Sequence, residues 1–320
     1  MAKNLLRVFF ATDVHGSEVC FRKFLNAAKF YEADVLILGG DVTGKLLVPL
    51  IQQLDGSYKG YFLGSENVIK PDAIEATEKM LRDSGVYPLR VSPSEYKEMK
   101  ADKDKSEKMF RDMMIQRLKE WMRLAEERLK DSGIPLYMTG GNDDMFEIED
   151  IIRASSYVKN PEGEVVTIGW DYEMASSGYS NITPWKCPRD IPEEELGKKI
   201  EQIVQKVKNF DKCIFNFHVP PYDTPIDIAP ELKDLRPVLS RAGGFEMIHV
   251  GSKSVKAAIE KYQPLVGLHG HIHESKAYMN IGKTLCINPG SEYGEGVLRG
   301  VLINLKEKGG IVGRPEFTYG

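Results

Sequence analysis

Five short blocks of this 320-residue sequence gather side chains that bind metal ions. They are Thr12-Asp13-Val14-His15-Gly16, Gly39-Gly40-Asp41-Val42, Gly140-Gly141-Asn142-Asp143-Asp144, Asn216-Phe217-His218-Val219 and Leu268-His269-Gly270-His271-Ile272-His273. Carboxylate oxygen and neutral imidazole together suit Mn, Fe, Co, Ni or Zn, and the blocks contain no thiolate. In extended backbone alternate side chains share a face, so the Asp-x-His and His-x-His triplets would each offer two ligands to one place. Asp41 is the candidate bridge between two ions. Singly, each residue has a plainer reading, because a His is commonly a hydrogen-bonded structural group and an Asp after a strand commonly caps a helix. Their concurrence favours a metal centre: His15, His218, His271 and His273, four of the six His, fall in strand-end motifs, with Asp or Asn in compatible positions across the set.

Each block follows an apolar run, and the runs are the elements that must position it. Strand-like runs at 7–12 and 35–39 flank a helix-like segment at 18–31, a β-α-β unit. Further strands are expected at 60–63, 135–139, 165–170, 213–217, 265–268, 284–287 and 297–304, with helices at 192–209 and 252–262. Alternating strands and helices argue for an α/β sandwich, in whose strand-end loops ligands collect.

One domain spanning 1–320 is the simplest division, with 94–131 as a long charged helical insertion. Phe110, Met114, Leu118, Trp121, Ala125 and Leu129 recur there every three or four residues and form one apolar stripe. The stripe is expected to pack on its own domain; a homo-oligomer contact or a lid over the site are the alternatives. A net charge of −4 leaves no footprint for general nucleic-acid binding. Cys20, Cys187, Cys213 and Cys286 form no C-x-x-C pair and read as buried apolar fillers. Neither a secretory signal nor a membrane-spanning apolar run is evident, so a cytoplasmic location is expected. Residues 39–45 fit the G-x-x-x-x-G-K part of a nucleotide phosphate loop, but Leu46 stands where a Mg²⁺-binding Ser or Thr belongs. Asp41 would also place negative charge among the phosphates, which argues against that reading.

The ordered set Asp-x-His, Gly-Asp, Gly-Asn-x-Asp, His and Gly-His-x-His, spanning residues 13 to 273, resembles the calcineurin-like metallophosphoesterases. The resemblance implies a four-layer α-β-β-α sandwich of two mixed sheets and a centre of two divalent transition-metal ions, with manganese expected and iron, cobalt, nickel or zinc open. It places Asp13, His15, Asp41 and His273 on one ion, and Asp41, Asn142, His218 and His271 on the other. The implied reaction is hydrolysis of a phosphoester by a hydroxide carried on the ions, with Asp41, Asn142, Asp143 and His218 as its catalytic residues. The Asn288-Pro289-Gly290-Ser291 turn is also similar to this family. Asn181-Ile182-Thr183-Pro184-Trp185 and His249-Val250-Gly251-Ser252 resemble small bacterial and archaeal members, which makes Asn181, Trp185, His249 and Ser252 candidate substrate contacts. Against that, Ser252 could cap a helix, Trp185 could pack in core or loop, and His249 could be structural.

Many relatives carry His where this chain has Asp143. A carboxylate there repels a dianionic monoester more than a monoanionic diester. The expected substrates are therefore small phosphodiesters or nucleotides, such as cyclic nucleotides or aryl diesters, with neither membrane nor nucleic acid as partner. A phosphomonoesterase, protein phosphatase or nuclease of the same superfamily is the enzymatic alternative. A metal-stabilised scaffold using 94–131 to bind a partner is the non-enzymatic one.

Overall fold

The computed structural model describes residues 5–240 and 243–320. Strand β1 (Leu5–Ala11), helix α1 (Glu18–Phe30) and β2 (Val35–Gly39) form the expected opening unit. There follow β3 (Leu47–Gln52), β4 (Tyr58–Phe62), β5 (Ser65–Ile69), α2 (Ile74–Asp83), β6 (Tyr87–Val91), α3 (Pro93–Ala101), α4 (Lys103–Leu129), β7 (Leu136–Thr139) and α5 (Glu147–Arg153). The middle of the chain supplies β8 (Val165–Gly169), β9 (Tyr172–Ser177), the short β10 (Ser180–Asn181) and β11 (Asp190–Ile191), α6 (Glu193–Val204) and β12 (Cys213–Phe217). An arm of short strands, β13 (Ile228–Pro230), β14 (Leu232–Lys233), β15 (Arg236–Pro237) and β16 (Met247–His249), precedes α7 (Lys253–Tyr262). The chain closes with β17 (Val266–Leu268), β18 (Ala277–Ile281), β19 (Thr284–Asn288), β20 (Arg299–Lys306) and β21 (Ile311–Tyr319).

Two mixed sheets, ordered β21-β20-β1-β2-β7 and β18-β19-β17-β12-β9-β8, face each other. The alternation of β1 assigns its side chains to two layers. Val8 and Phe10 enter the core between the sheets with Ile37, Met174, Ile214 and Ile287. Phe9 and Ala11 face α1, α4 and α5, where Phe21, Phe24, Trp121 and Ile148 pack. On the far side Phe215 and Phe217 of β12 pack against Ile200 of α6 and Ile259 of α7. The result is the expected four-layer α-β-β-α sandwich. Because β1, β2 and β7 run parallel to one another in the first sheet, as do β9, β12 and β17 in the second, their C-terminal loops gather at one edge of each.

Several expectations are revised. The segment 94–131 is two helices, broken at Asp102, whose carboxylate accepts from Lys105 N and caps α4. Its stripe is covered by the chain's own domain: Met114, Leu118, Trp121, Ala125 and Leu129 are buried, with Trp121 stacked on Phe21 at 4.1 Å. The helix expected over 192–209 ends at Val204. A four-stranded sheet, β5-β4-β3-β6, with its own core of Val48, Leu50, Phe62, Ile69, Ile74 and Leu81, was anticipated only at β4. Cys187 is no buried filler, since it is half-buried with Sγ 3.4 Å from Asp143 Oδ1. No helix of the described residues is long and apolar enough to cross a membrane.

Candidate metal centre

The loops leaving β1 and β2 run side by side. Asp13 N donates to Gly40 O (3.0 Å), His15 N to Asp41 O (2.9 Å) and Gly16 N to Val42 O (2.7 Å). The triplets are not extended, as alternation had suggested: Asp13, His15, Asp41 and His271 take φ of 52°, 40°, 47° and 67°. Left-handed backbone at non-glycine residues costs about 1–3 kcal/mol each and persists where the surroundings enforce it. Here the turns bring side chains from successive loops back over the sheet edge. Gly40 (φ 116°) permits the closest approach, for a Cβ there would lie 2.4 Å from His218 Nδ1.

Two groups of ligand atoms result, each with its members within 4.8 Å of one another: Asp13, His15 and His273, and Asp41, His218 and His271. In the first, His15 Nε2 lies 3.1 Å from His273 Nε2, and His273 Nε2 lies 3.3 Å from Asp13 Oδ1. In the second, His218 Nε2 lies 3.5 Å from Asp41 Oδ2, and His271 Nδ1 lies 2.8 Å from Asn142 Oδ1. Ligand atoms about 2.0–2.2 Å from a common ion are spaced roughly 3–3.5 Å apart, close to the 2.8–3.5 Å of these contacts. Asp41 Oδ2 sits between the groups, 3.6 Å from His15 Nε2 and 3.5 Å from His218 Nε2.

Hydrogen bonds behind these atoms decide which ones face inward. His218 Nδ1 donates to Gly39 O at 3.0 Å, leaving Nε2 buried without a hydrogen-bond partner and aimed at two carboxylates. His271 Nε2 is 3.4 Å from Ser180 Oγ, which leaves Nδ1 for the site. Asn142 Nδ2 donates to Asp190 Oδ1 (2.9 Å), so its carbonyl oxygen turns inward. Asp13 accepts from His271 N and Thr12 Oγ1. Asp144, which is fully buried, accepts from Val42 N, Thr43 N and Gly141 N at 2.8–2.9 Å and ties the loop after β2 to the loop after β7. Arg189, also fully buried, donates to Asp144 O and Met145 O and pairs with Glu149.

The electrostatics suit cations. Burial pulls His15 down to about 3 and His271 down to about 4, so both are neutral imidazoles at neutral pH, the form that binds metal. Burial also opposes charge on His218, but the carboxylates of Asp41 and Asp13 outweigh it and carry that ring up to about 9. A positive charge is thus demanded between His218 and the two aspartates, and a divalent ion on Nε2 meets that demand. Burial raises Asp41 and Asp13, yet His218 and the neighbouring His rings hold both below the usual carboxylate range. The donor set and its orphaned imidazole nitrogen fit a pair of divalent cations.

The remaining expectations fall differently. Asp143 is close to the centre, in a third group with His15 and Asp41, and its backbone N–H donates to Asp41 Oδ1. Its carboxylate is paired with the ammonium of Lys45. Asn181 binds Val250 O, and Trp185 is 62% exposed. His249 is held by Asp227 Oδ1 at 2.6 Å. Ser252 is fully buried, caps α7 through Ser254 N and Val255 N, and donates to Glu193. His269 is also buried, and its Nδ1 donates to Phe217 O at 2.8 Å. Sequence reasoning passed over Lys45, Asp190 and Arg189. Lys45 stood in the phosphate-loop match; nothing in the sequence pointed to the other two.

No family model matches the chain. An uncharacterized protein of Methanocaldococcus jannaschii is 34% identical over 151 residues, 47% of this chain and 61% of that protein. The match therefore spans less than two thirds of that relative's length. One solved crystal structure aligns over 98% of both chains at 16% identity with a TM-score of 0.55. The crystal structure of the protein TT1561 of Thermus thermophilus aligns over 98% of both chains at 14% identity with a TM-score of 0.53. These likenesses show a shared fold, the four-layer α-β-β-α sandwich.

Proposed function

We propose that this chain is a metal-dependent phosphoesterase acting on small phosphodiesters or nucleotides, with manganese as its metal. The observation that carries the reading is Asp41 Oδ2, poised between one imidazole nitrogen of each ligand group. Two divalent ions, when bound, neutralise phosphoryl oxygens and acidify a water molecule. The chain's own contribution is positional. Asp41 spans the two groups, Gly39 O fixes the tautomer of His218, and Asp190 turns Asn142. Asp13, His15, His271 and His273 complete the ligand set.

Asp143 modifies the expected substrate preference. Alone its charge would repel a dianionic monoester, but its ion pair with Lys45 makes that corner close to neutral. The preference for diesters is accordingly modest, within about tenfold in kcat/KM, a difference near 1.4 kcal/mol. The test is metal-stripped protein reloaded in turn with Mn²⁺, Fe²⁺, Co²⁺, Ni²⁺, Zn²⁺ or Mg²⁺ and assayed on matched aryl mono- and diesters and cyclic nucleotides. Metal-dependent turnover with diesters ahead, highest with Mn²⁺, is the expected result. Equal or higher efficiency on the monoester removes the diester preference, and absence of turnover on every ester removes the enzyme.

A further inference from the structure

Lys45 does not belong to the metal ligands, yet it stands beside them. Its ammonium pairs with Asp143, whose carboxylate lies within 4.8 Å of ligand atoms of His15 and Asp41. Its side chain is 47% exposed, so it is not closed off from solvent. The backbone beneath it is fixed on both sides. Thr43 is bound through N–H and hydroxyl to Asp144, and Gly44 N donates to the Tyr87 hydroxyl at 2.9 Å. Gly44 is wedged so tightly that a Cβ would lie 2.1 Å from Gly85 O. Asp143 comes from the other loop that Asp144 ties down. One buried carboxylate therefore sets both halves of the Lys45–Asp143 pair.

We propose that Lys45 is the cationic contact for the phosphoryl group, held over the ligand groups by Asp143 as its positioning residue. This rests on the phosphoesterase reading and names the residue that reads the phosphate there. An ammonium has three N–H donors, so Asp143 leaves others free for phosphoryl oxygens. A partly exposed ion pair is weak, so sharing the ammonium with a second anion costs little. Lys45 would thus supply the charge, though not the proton, that an imidazolium at position 143 could offer.

The test uses the full chain loaded with Mn²⁺, with metal content measured on every variant and inorganic phosphate as calorimetric probe. Lys45→Gln should keep its metal and bind phosphate about tenfold more weakly or worse, the scale of one hydrogen bond to a charged group. Lys45→Arg should restore most of that affinity. In turnover, Lys45→Gln should raise KM for an aryl monoester more than for the matched diester. Phosphate binding by Lys45→Gln equal to that of the unaltered chain, at equal metal content, overturns the proposal, as does failure of the unaltered chain to bind phosphate. Lys45-dependent phosphate binding without turnover on any ester sustains the contact and overturns only the enzyme.

Discussion

The two ligand groups are built from the same residue types but oriented by different means. In the group of Asp41, His218 and His271, each imidazole has its outward nitrogen engaged, by Gly39 O and Ser180 Oγ, and Asn142 is turned by Asp190. In the group of Asp13, His15 and His273, the Nδ1 of His15 is buried with no hydrogen-bond partner among the described residues. Its ring is steadied by packing on Tyr293, with centroids 4.6 Å apart. Ring packing fixes a plane; a hydrogen bond fixes plane, tautomer and basicity together. The group of His218 and His271 is therefore the better prepared, and an Mn²⁺ titration should fill it first.

The largest effect should come from the residue the groups share. Asp41→Asn is expected to lower metal content at both positions and abolish turnover, as read by elemental analysis and an aryl diester assay. Full metal content with an unchanged rate would end its bridging role. The next comparison separates the groups. Asp190→Ala should blur the order of filling by reducing affinity at the ion beside Asn142 about 10–100-fold, the usual cost of losing a group that orients a ligand. Tyr293→Ala should act only on the other ion and by less. If both variants weaken the same ion in the titration, the contrast between the groups fails.

A smaller effect concerns the ground under the group of His218. Glu162 accepts from Gly178 N at 2.8 Å, next to Ser177, whose carbonyl accepts from His218 N. Burial pushes its carboxyl from 4.5 up to about 7, opposed by Arg189. The folded state then holds a proton that the unfolded chain has released, so this contribution to stability is complete below about pH 4.5 and is lost as the pH rises through 7. Glu162→Gln keeps an acceptor and should remove that loss, raising stability at pH 8 by roughly 2 kcal/mol relative to pH 5. Denaturant midpoints at the two pH values decide it. An unchanged pH dependence would mean that Glu162 is ionised throughout.

The five blocks were legible because each ligand is adjacent in sequence to the strand that carries it, so an apolar run followed by Asp, Asn or His is a local pattern. The layers were legible for the same reason: a run such as Val35–Gly39, buried throughout, reads as a parallel strand covered on both faces. The accessory sheet was hidden by Pro49, which normally argues against an inner strand. It is tolerated because β3 pairs with β4 only at Ile51 and Gln52, beyond the proline. Asp190 acts on Asn142 across 48 residues and Lys45 on Asp143 across the gap between two loops, and no periodicity records such contacts. Left-handed backbone at Asp13 and His15 was equally silent, because only a few per cent of non-glycine residues adopt it, and Asp and His, though enriched there, mostly do not.

The contact between His15 and His273 spans 258 residues, and so does that between Asp13 and the backbone of His271. During synthesis the first sheet can begin to form long before the last block leaves the ribosome, and at about 5–20 residues per second that interval is at least several seconds. Throughout it, Asp13, His15 and Asp41 are present without the imidazoles that complete either group. Metal capture is thereby postponed to the closing of the chain upon itself, and a nascent chain that stalls before residue 271 has no finished place for an ion.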